Sequence, residues 1–267
     1  MTRRVARRSV PALAYGLLAA ALVAVGVASG CARPAQGPGE PPIGLPTSGA
    51  AVVAEWSEEG GFVPPGWNEI RAPRLVVYAD GTVIADANAT ITLTADEVTA
   101  LVGELQRDLG GLPVVVHGGA ENIVADASTT VLTVIRPDGE LASVRAYALV
   151  IEGADYPDKL VAASRAMQKV WERASAGSPY QADGVRIVAY GSEHSGTNPK
   201  AWPKNVPAPQ RVSAAGDFPL YEVKRADATA VLAAFPASVA ASPGWHEATL
   251  PDGTKVLLAW RYLLPHE

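Results

Sequence analysis

The stretch RLVVYADGTVIAD, residues 74–86, decides the fold class of this chain. Two runs of apolar, largely β-branched residues flank Asp80-Gly81, a pair that suits the positive φ angles of a tight hairpin turn. Strands joined by such a turn are antiparallel, so the stretch predicts a β-hairpin.

Two further stretches carry the same pattern. TTVLTVIRPDGELASVRAYAL (129–149) predicts a second hairpin around Asp138-Gly139, and WHEATLPDGTKVLLAWRYLL (245–264) predicts a third around Asp252-Gly253. The remaining β-rich runs predict single strands, and they are AVVAEW (51–56), GVRIVAY (184–190) and FPLYEVK (218–224). The segment between the first strand and the first hairpin, GGFVPPGW (60–67), predicts a turn-rich connection.

Three stretches predict helices. In LTADEVTALVGELQRDLGG (93–111), Thr94 and Glu97 form a capping box and Leu93 and Val98 a hydrophobic staple. Its apolar residues recur on one helical face, and they are Val98, Leu101, Val102, Leu105 and Leu109. The other two helices are predicted at YPDKLVAASRAMQKVWERASAG (156–177) and ADATAVLAAF (226–235). The chain is therefore expected to fold as an α+β protein, with antiparallel sheets built from hairpins, two longer helices and one short helix.

The N-terminus predicts export. Four arginines precede the apolar run ALAYGLLAAALVAVGV (12–27), a pattern typical of a signal peptide. The alternative is a permanent transmembrane helix, which needs about 20 apolar residues, more than this run provides.

The single cysteine of the chain, Cys31, lies four residues after the end of this run. Ala28-Ser29-Gly30-Cys31 resembles the bacterial lipobox, in which small residues precede the cysteine. The resemblance implies a diacylglyceryl thioether on the Cys31 sulfur and cleavage between Gly30 and Cys31. Two or more acyl chains give stable anchoring, so we expect the protein on the outer face of the cytoplasmic membrane. The alternative is ordinary signal cleavage that leaves Cys31 as a free thiol.

Composition divides the rest of the chain. Residues 32–50 contain five prolines and four glycines, which predicts a disordered tether with a root-mean-square span of roughly 25 Å. The predicted divisions are a signal peptide (1–30), a lipidated cysteine and tether (31–50), a main α+β domain (51–190), a long loop or linker (191–217) and a C-terminal strand–helix–hairpin unit packed on the main domain (218–267).

Net charge argues against a nucleic-acid partner. The whole chain carries −5, and residues 1–30 contain four arginines and no acidic residue, so the mature chain is near −9. An acidic protein has no electrostatic attraction to nucleic acid or to anionic lipid headgroups.

No catalytic motif is complete. His246-Glu247-Ala248-Thr249-Leu250 begins like a zinc-protease motif, but Leu250 stands where the second histidine is needed. Asp86 and Asp126 occupy matching places in the similar stretches VIADANAT and IVADASTT. They predict either a carboxylate pair or two separate turn-stabilising side chains. We predict no metal and no cofactor.

The loop at 191–217 offers the only candidate ligand contacts. It holds His194, Lys200, Trp202 and Lys204, a basic and aromatic set that could contact an acidic or carbohydrate ligand. The alternative is a connector in which Trp202 packs down as a strap.

Taken together, the lipobox cysteine, GGFVPPGW, VVYADGTVI, the helix from Thr94 and VADASTTVLTV resemble a group of actinobacterial lipoproteins without an assigned activity. The resemblance implies no catalytic residue. We therefore predict a non-catalytic binding or interaction module at the cell envelope. The alternatives are an envelope hydrolase and a ligand-binding receptor for a transporter.

Overall fold

All three predicted Asp-Gly hairpins form. Their glycines adopt nearly identical left-handed conformations, with φ of 87° at Gly81, 86° at Gly139 and 87° at Gly253. The computed structural model describes residues 45–46, 49–119, 125–149, 155–191, 199–209, 218–236 and 244–267. The predicted signal peptide, Gly30, Cys31, most of the predicted tether and His194 lie outside these residues.

The described residues form four helices and thirteen strands, which confirms the α+β class. The helices are α1 (Trp67–Ile70), α2 (Ala95–Leu109), α3 (Asp158–Ser175) and α4 (Ala226–Ala234). The strands are β1 (Val52–Gly60), β2 (Leu75–Tyr78), β3 (Thr82–Ala85), β4 (Ala89–Thr92), β5 (Val115–Val116), β6 (Ser128–Ile135), β7 (Leu141–Tyr147), β8 (Ser178–Pro179), β9 (Gly184–Gly191), β10 (Lys200–Ala201), β11 (Leu220–Lys224), β12 (His246–Thr249) and β13 (Lys255–Tyr262).

Two sheets organise these strands. The first has the order β5-β7-β6-β1-β2-β3-β4-β8, and the second has the order β10-β12-β13-β9-β11. Neighbouring strands are antiparallel except for the short edge pairs β5–β7 and β10–β12, which are parallel. Hairpin turns between successive strands dictate this arrangement.

One face of the first sheet packs against α2 and α3. The helix α2 starts where the sequence predicted, because Thr94 accepts a hydrogen bond from the Glu97 backbone while Glu97 accepts one from the Thr94 backbone. Its five predicted apolar residues are all buried. The helix α3 buries Leu160 and Met167 in the same core.

The second sheet has a core of its own. The helix α4 covers one face, and the large side chains of Phe235, Trp202 and Trp260 fill the space beneath it. The opposite face of the first sheet meets the end of the second, where Val76 and Tyr78 pack with Leu264.

Two features differ from the sequence-based divisions. The strand β9, assigned by sequence to the main domain, pairs with β11 and β13 in the second sheet. The predicted tether reaches the folded unit before residue 50, because the apolar side chain of Leu45 packs against the first core. In addition, the short helix α1 and the strands β4, β5, β8 and β10 had no counterpart in the prediction.

Among the residues that the structure describes, no helix has the length and apolarity needed to cross a membrane.

The three matched turn glycines allow a sharp stability test. A Cβ added at Gly81 would lie 2.2 Å from the backbone oxygen of Leu93, whereas nothing lies within 4 Å of one at Gly139 or Gly253. We expect Gly139→Ala and Gly253→Ala to lower the free energy of unfolding by about 1–2 kcal/mol, the cost of a positive φ. Gly81→Ala should cost more than about 3 kcal/mol, because it adds a backbone clash. Urea unfolding measures all three, and equal losses would contradict this packing.

Candidate functional site: an exposed apolar tip

Four strands of the first sheet end together at what we call its distal end. Gly60 closes β1 opposite Ser128 of β6, Thr129 pairs with Tyr147 of β7, and Val116 of β5 pairs with the residue before Tyr147. The nine residues of β1 run towards this end from Val52. At about 3.3 Å per residue, the distal end lies about 26 Å from the point where the predicted tether joins the sheet.

Phe62 projects from this end into water. Its side chain is 90% exposed, although its backbone is fixed by a hydrogen bond from Phe62 N to the Asp126 carbonyl at 3.0 Å. The two residues before it, Gly60 and Gly61, have φ of 65° and 82°, which only glycine adopts readily. The loop therefore holds a phenylalanine ring outward.

Tyr147 lies beside the same anchoring segment. Its hydroxyl oxygen accepts a hydrogen bond from the Ala127 backbone at 3.1 Å, while Asp126, the preceding residue, holds Phe62. The Tyr156 hydroxyl donates to the Tyr147 carbonyl and fixes the end of β7. Phe62 and Tyr147 thus flank a single two-residue segment, and the Tyr147 side chain is 39% exposed.

Two further apolar side chains are exposed at the edge of the sheet. Val114 is 66% exposed and Val115 is 47% exposed, and both lie on or beside the edge strand β5. Val115 is diagonal to Tyr147 across the β5–β7 pair, on the same face. We call Phe62, Val114, Val115 and Tyr147 the apolar tip.

A buried carboxylate supports the tip from beneath. Glu58 is only 9% exposed, and it accepts hydrogen bonds from Trp56 Nε1 at 2.9 Å, Thr130 Oγ1 at 2.9 Å and Ser128 Oγ at 2.7 Å. Because Glu58 belongs to β1 and two of its donors belong to β6, it locks these strands together at the distal end. Phe62 follows β1 after only one further residue, so this lock also fixes its position.

The two aspartates singled out by sequence have different roles. Asp86 forms an ion pair with Arg74 at 2.9 Å and accepts a hydrogen bond from Trp171 Nε1 at 2.8 Å. The Arg74 guanidinium lies 4.4 Å from the Trp171 ring centroid. The pKa of Asp86 is raised because burial raises it by more than the hydrogen bond from Trp171 and the positive charge of Arg74 lower it. Asp126 instead acts through its backbone carbonyl on Phe62, and no described contact joins the two carboxylates.

The described residues of the predicted ligand loop pack against the second core. Trp202 is 3% exposed, contacts Phe235 at a ring-centroid distance of 6.0 Å and donates from Nε1 to the Val206 carbonyl at 2.9 Å. Lys200 Nζ donates to the Ala234 carbonyl at the end of α4, at 3.0 Å. Lys204 is exposed. The buried position of Trp202 agrees with the alternative in which this loop is a connector. Contact between this loop and a ligand remains a prediction.

A cleft lies elsewhere, beside the segment 263–267. It has a volume of about 360 Å³, and its walls include Tyr180, Lys224, Leu264 and Glu267. Within the described ranges, no three histidine, cysteine, aspartate or glutamate side chains are grouped so that they could hold a metal ion.

Sequence reasoning did not identify the apolar tip, because it assigned GGFVPPGW to a connection. The sequence feature that could have indicated the tip is Phe62, which lies between two glycines and two prolines. This segment has neither the helical nor the strand periodicity that would place the ring in a core. Comparison of the chain with protein-family models, with curated proteins and with solved structures found no match.

Adjacent glutamates test the support beneath the tip. Glu58→Gln replaces one acceptor oxygen by a donor that faces existing donors, so we expect the free energy of unfolding to fall by about 1–3 kcal/mol. Glu59→Gln is the matched control, because Glu59 is exposed and pairs only at the surface with Arg145. We expect it to cost under about 1 kcal/mol. Urea unfolding of both variants is the measurement, and a smaller loss for Glu58→Gln than for Glu59→Gln would contradict the assignment.

Proposed function

We propose that this chain is a non-catalytic interaction module, anchored by lipid on Cys31, that binds a protein of the cell envelope through its apolar tip. The proposal rests on the 90% exposure of Phe62, whose backbone N–H donates a hydrogen bond to the Asp126 carbonyl. Exposed apolar side chains that are grouped on one part of a surface are typical of sites that bind a protein partner.

The composition of the tip suits a protein partner. Aromatic residues, phenylalanine among them, are enriched at protein interfaces, where the residues that contribute most binding energy fill pockets on the partner. Phe62 is the expected anchor, since its ring is the most exposed of the large apolar side chains described. Tyr147 adds an aromatic ring with a polar end, which suits the boundary of an interface.

The position of the tip favours a partner over the anchoring membrane. The predicted tether joins the sheet near Val52, at the opposite end of β1 from Gly60. The mature chain is near −9, which opposes close contact with anionic headgroups. We therefore expect the tip to face away from the lipid surface.

The anchor is tested by Cys31→Ala, which removes the sulfur that would carry the lipid. We expect the variant to leave the membrane fraction and appear in the soluble fraction, measured by fractionation and immunoblotting. Ser29→Ala, which keeps a small residue before the cysteine, should stay with the membrane. Membrane retention of Cys31→Ala molecules whose mass shows that residues 1–30 have been removed, equal to the retention of the natural chain, would contradict lipid anchoring.

The tip is tested by Phe62→Ala. Because the ring is exposed, we expect the free energy of unfolding to change by less than about 0.5 kcal/mol. Chemical cross-linking in intact cells should show the partner adduct reduced at least about tenfold, since an interface anchor contributes about 2 kcal/mol or more.

Leu220→Ala is the matched control for that experiment. Leu220 is 46% exposed on β11, the edge strand of the second sheet, whereas the tip residues belong to the first sheet or lie next to its strands. The variant should leave the adduct unchanged. An undiminished adduct in Phe62→Ala would contradict the proposed surface, and a bound small molecule released on denaturation would favour the receptor alternative.

A further inference from the structure

The segment Pro265–Glu267 connects the two sheets, and we call it the clip. Its glutamate is held by the second sheet, and its histidine contacts the first. This link is separate from the apolar tip and does not depend on the proposed function.

Two arginines of the second sheet hold Glu267. Its carboxylate accepts hydrogen bonds from Arg186 Nη1 on β9 at 2.7 Å and from both terminal nitrogens of Arg261 on β13, each at 2.7 Å. The Leu264 backbone donates a fourth, at 2.9 Å. Burial raises the pKa of Glu267, but the bonds from Arg261 and Leu264 outweigh burial and bring that pKa to about 2.

His266 makes the contact with the first sheet. Its Nδ1 lies 2.8 Å from the hydroxyl oxygen of Tyr78 on β2, and the two ring centroids are 5.8 Å apart. Tyr78 is 1% exposed, and His266 is the sole hydrogen-bond partner of its hydroxyl that the described residues supply. We therefore assign the Tyr78 O–H as the donor and the neutral His266 Nδ1 as the acceptor.

Other charged and titratable groups face the clip from several elements. Glu222 of β11 shares Arg186 with Glu267, at 2.7 Å from Arg186 Nη2. Lys224 of the same strand is 3.5 Å from the Glu267 backbone oxygen. Two further groups interact electrostatically with Glu267, and they are Glu55 of β1 and Tyr180, which lies between β8 and β9. Asp183, also between β8 and β9, interacts in the same way with Tyr180.

We propose that the clip is a two-stage acid-sensitive link, in which mild acid detaches His266 from Tyr78 while the two arginines still hold Glu267. In the first stage, a proton from solvent binds His266 Nδ1. The imidazolium can only donate, so the Tyr78 oxygen could only accept from it and the buried Tyr78 O–H would be left without an acceptor. A positive charge also appears near Arg186 and Arg261, and both effects weaken the contact.

The pH windows of the two stages are separate. Burial lowers the pKa of His266. The negative charge of Glu267 raises that pKa, and the positive charges of Arg261 and Arg186 lower it. Stabilisation by the His266 contact is therefore complete above about pH 6.5 and is lost as the pH falls through the folded-state pKa. The pKa of Glu267 falls from 4.5 to about 2, so its clamp is complete above about pH 4.5 and is lost only as the pH approaches 2.

Release of His266 would also alter the cleft beside it. Leu264, Pro265 and Glu267 form one wall of that 360 Å³ space. When only Glu267 holds the clip, the polar contact of this wall with the first sheet is lost, and the apolar packing of Leu264 against Val76 and Tyr78 is what still joins them.

Hydrogen–deuterium exchange tests the first stage. In the natural chain, we expect protection of the peptide 262–267, corrected for intrinsic exchange rates, to fall about tenfold from about pH 7.5 to about pH 5.5. In His266→Gln the side chain stays neutral and its amide oxygen can accept from Tyr78, so protection should change less than about twofold.

His246→Gln is the matched control. His246 is also half-buried with a lowered pKa, caused by burial and by Lys200, but it belongs to β12. This variant should keep the tenfold fall. Tyr78→Phe should lower protection of the clip at both pH values and make the step smaller than in the natural chain, which keeps the test decisive if His266→Gln does not fold. An equal fall in the natural chain and His266→Gln, or its loss in His246→Gln, would overturn the proposal.

Discussion

The burial of β2 on both faces is the constraint on which the rest of the structure depends. All four of its residues are buried. Leu75 and Val77 pack under α2 and α3, while Val76 and Tyr78 meet the end of the second sheet. A slip of one residue would exchange these faces and place the Tyr78 hydroxyl in the apolar core. The tight turn at Gly81 prevents that slip, so one glycine sets the register between the helical layer and the second sheet.

Local patterns in the sequence were sufficient to predict most of the elements. The hairpin glycines, the Thr94 capping box and the buried face of α2 follow from turn chemistry and from helical periodicity, which act over a few residues. The partners of β9 could not be predicted in the same way. Its apolar residues fit the centre of either sheet, and only long-range packing places it between β11 and β13.

The candidate site depended on exposure, which local pattern does not determine. Asp86 and Asp126 occupy similar stretches, and both adopt a positive φ, 51° and 64°. Tertiary neighbours nevertheless give one an ion pair with Arg74 and make the other a backbone support for Phe62. Trp202 shows the converse, because an aromatic residue in a proline-rich loop is buried by the second core. The solvent exposure of each aromatic side chain therefore depends on how the sheets pack, which the local sequence does not specify.

The proposed function joins an anchor at one end of β1 to an exposed aromatic residue at the other. Its most direct test places a photoreactive phenylalanine analogue at position 62 of the membrane-bound protein and identifies the adducts by mass spectrometry after illumination. We expect adducts with a distinct envelope protein, and we expect them to be absent when the analogue is placed at position 220. Adducts formed mainly with lipid, or equal protein adducts at both positions, would contradict it.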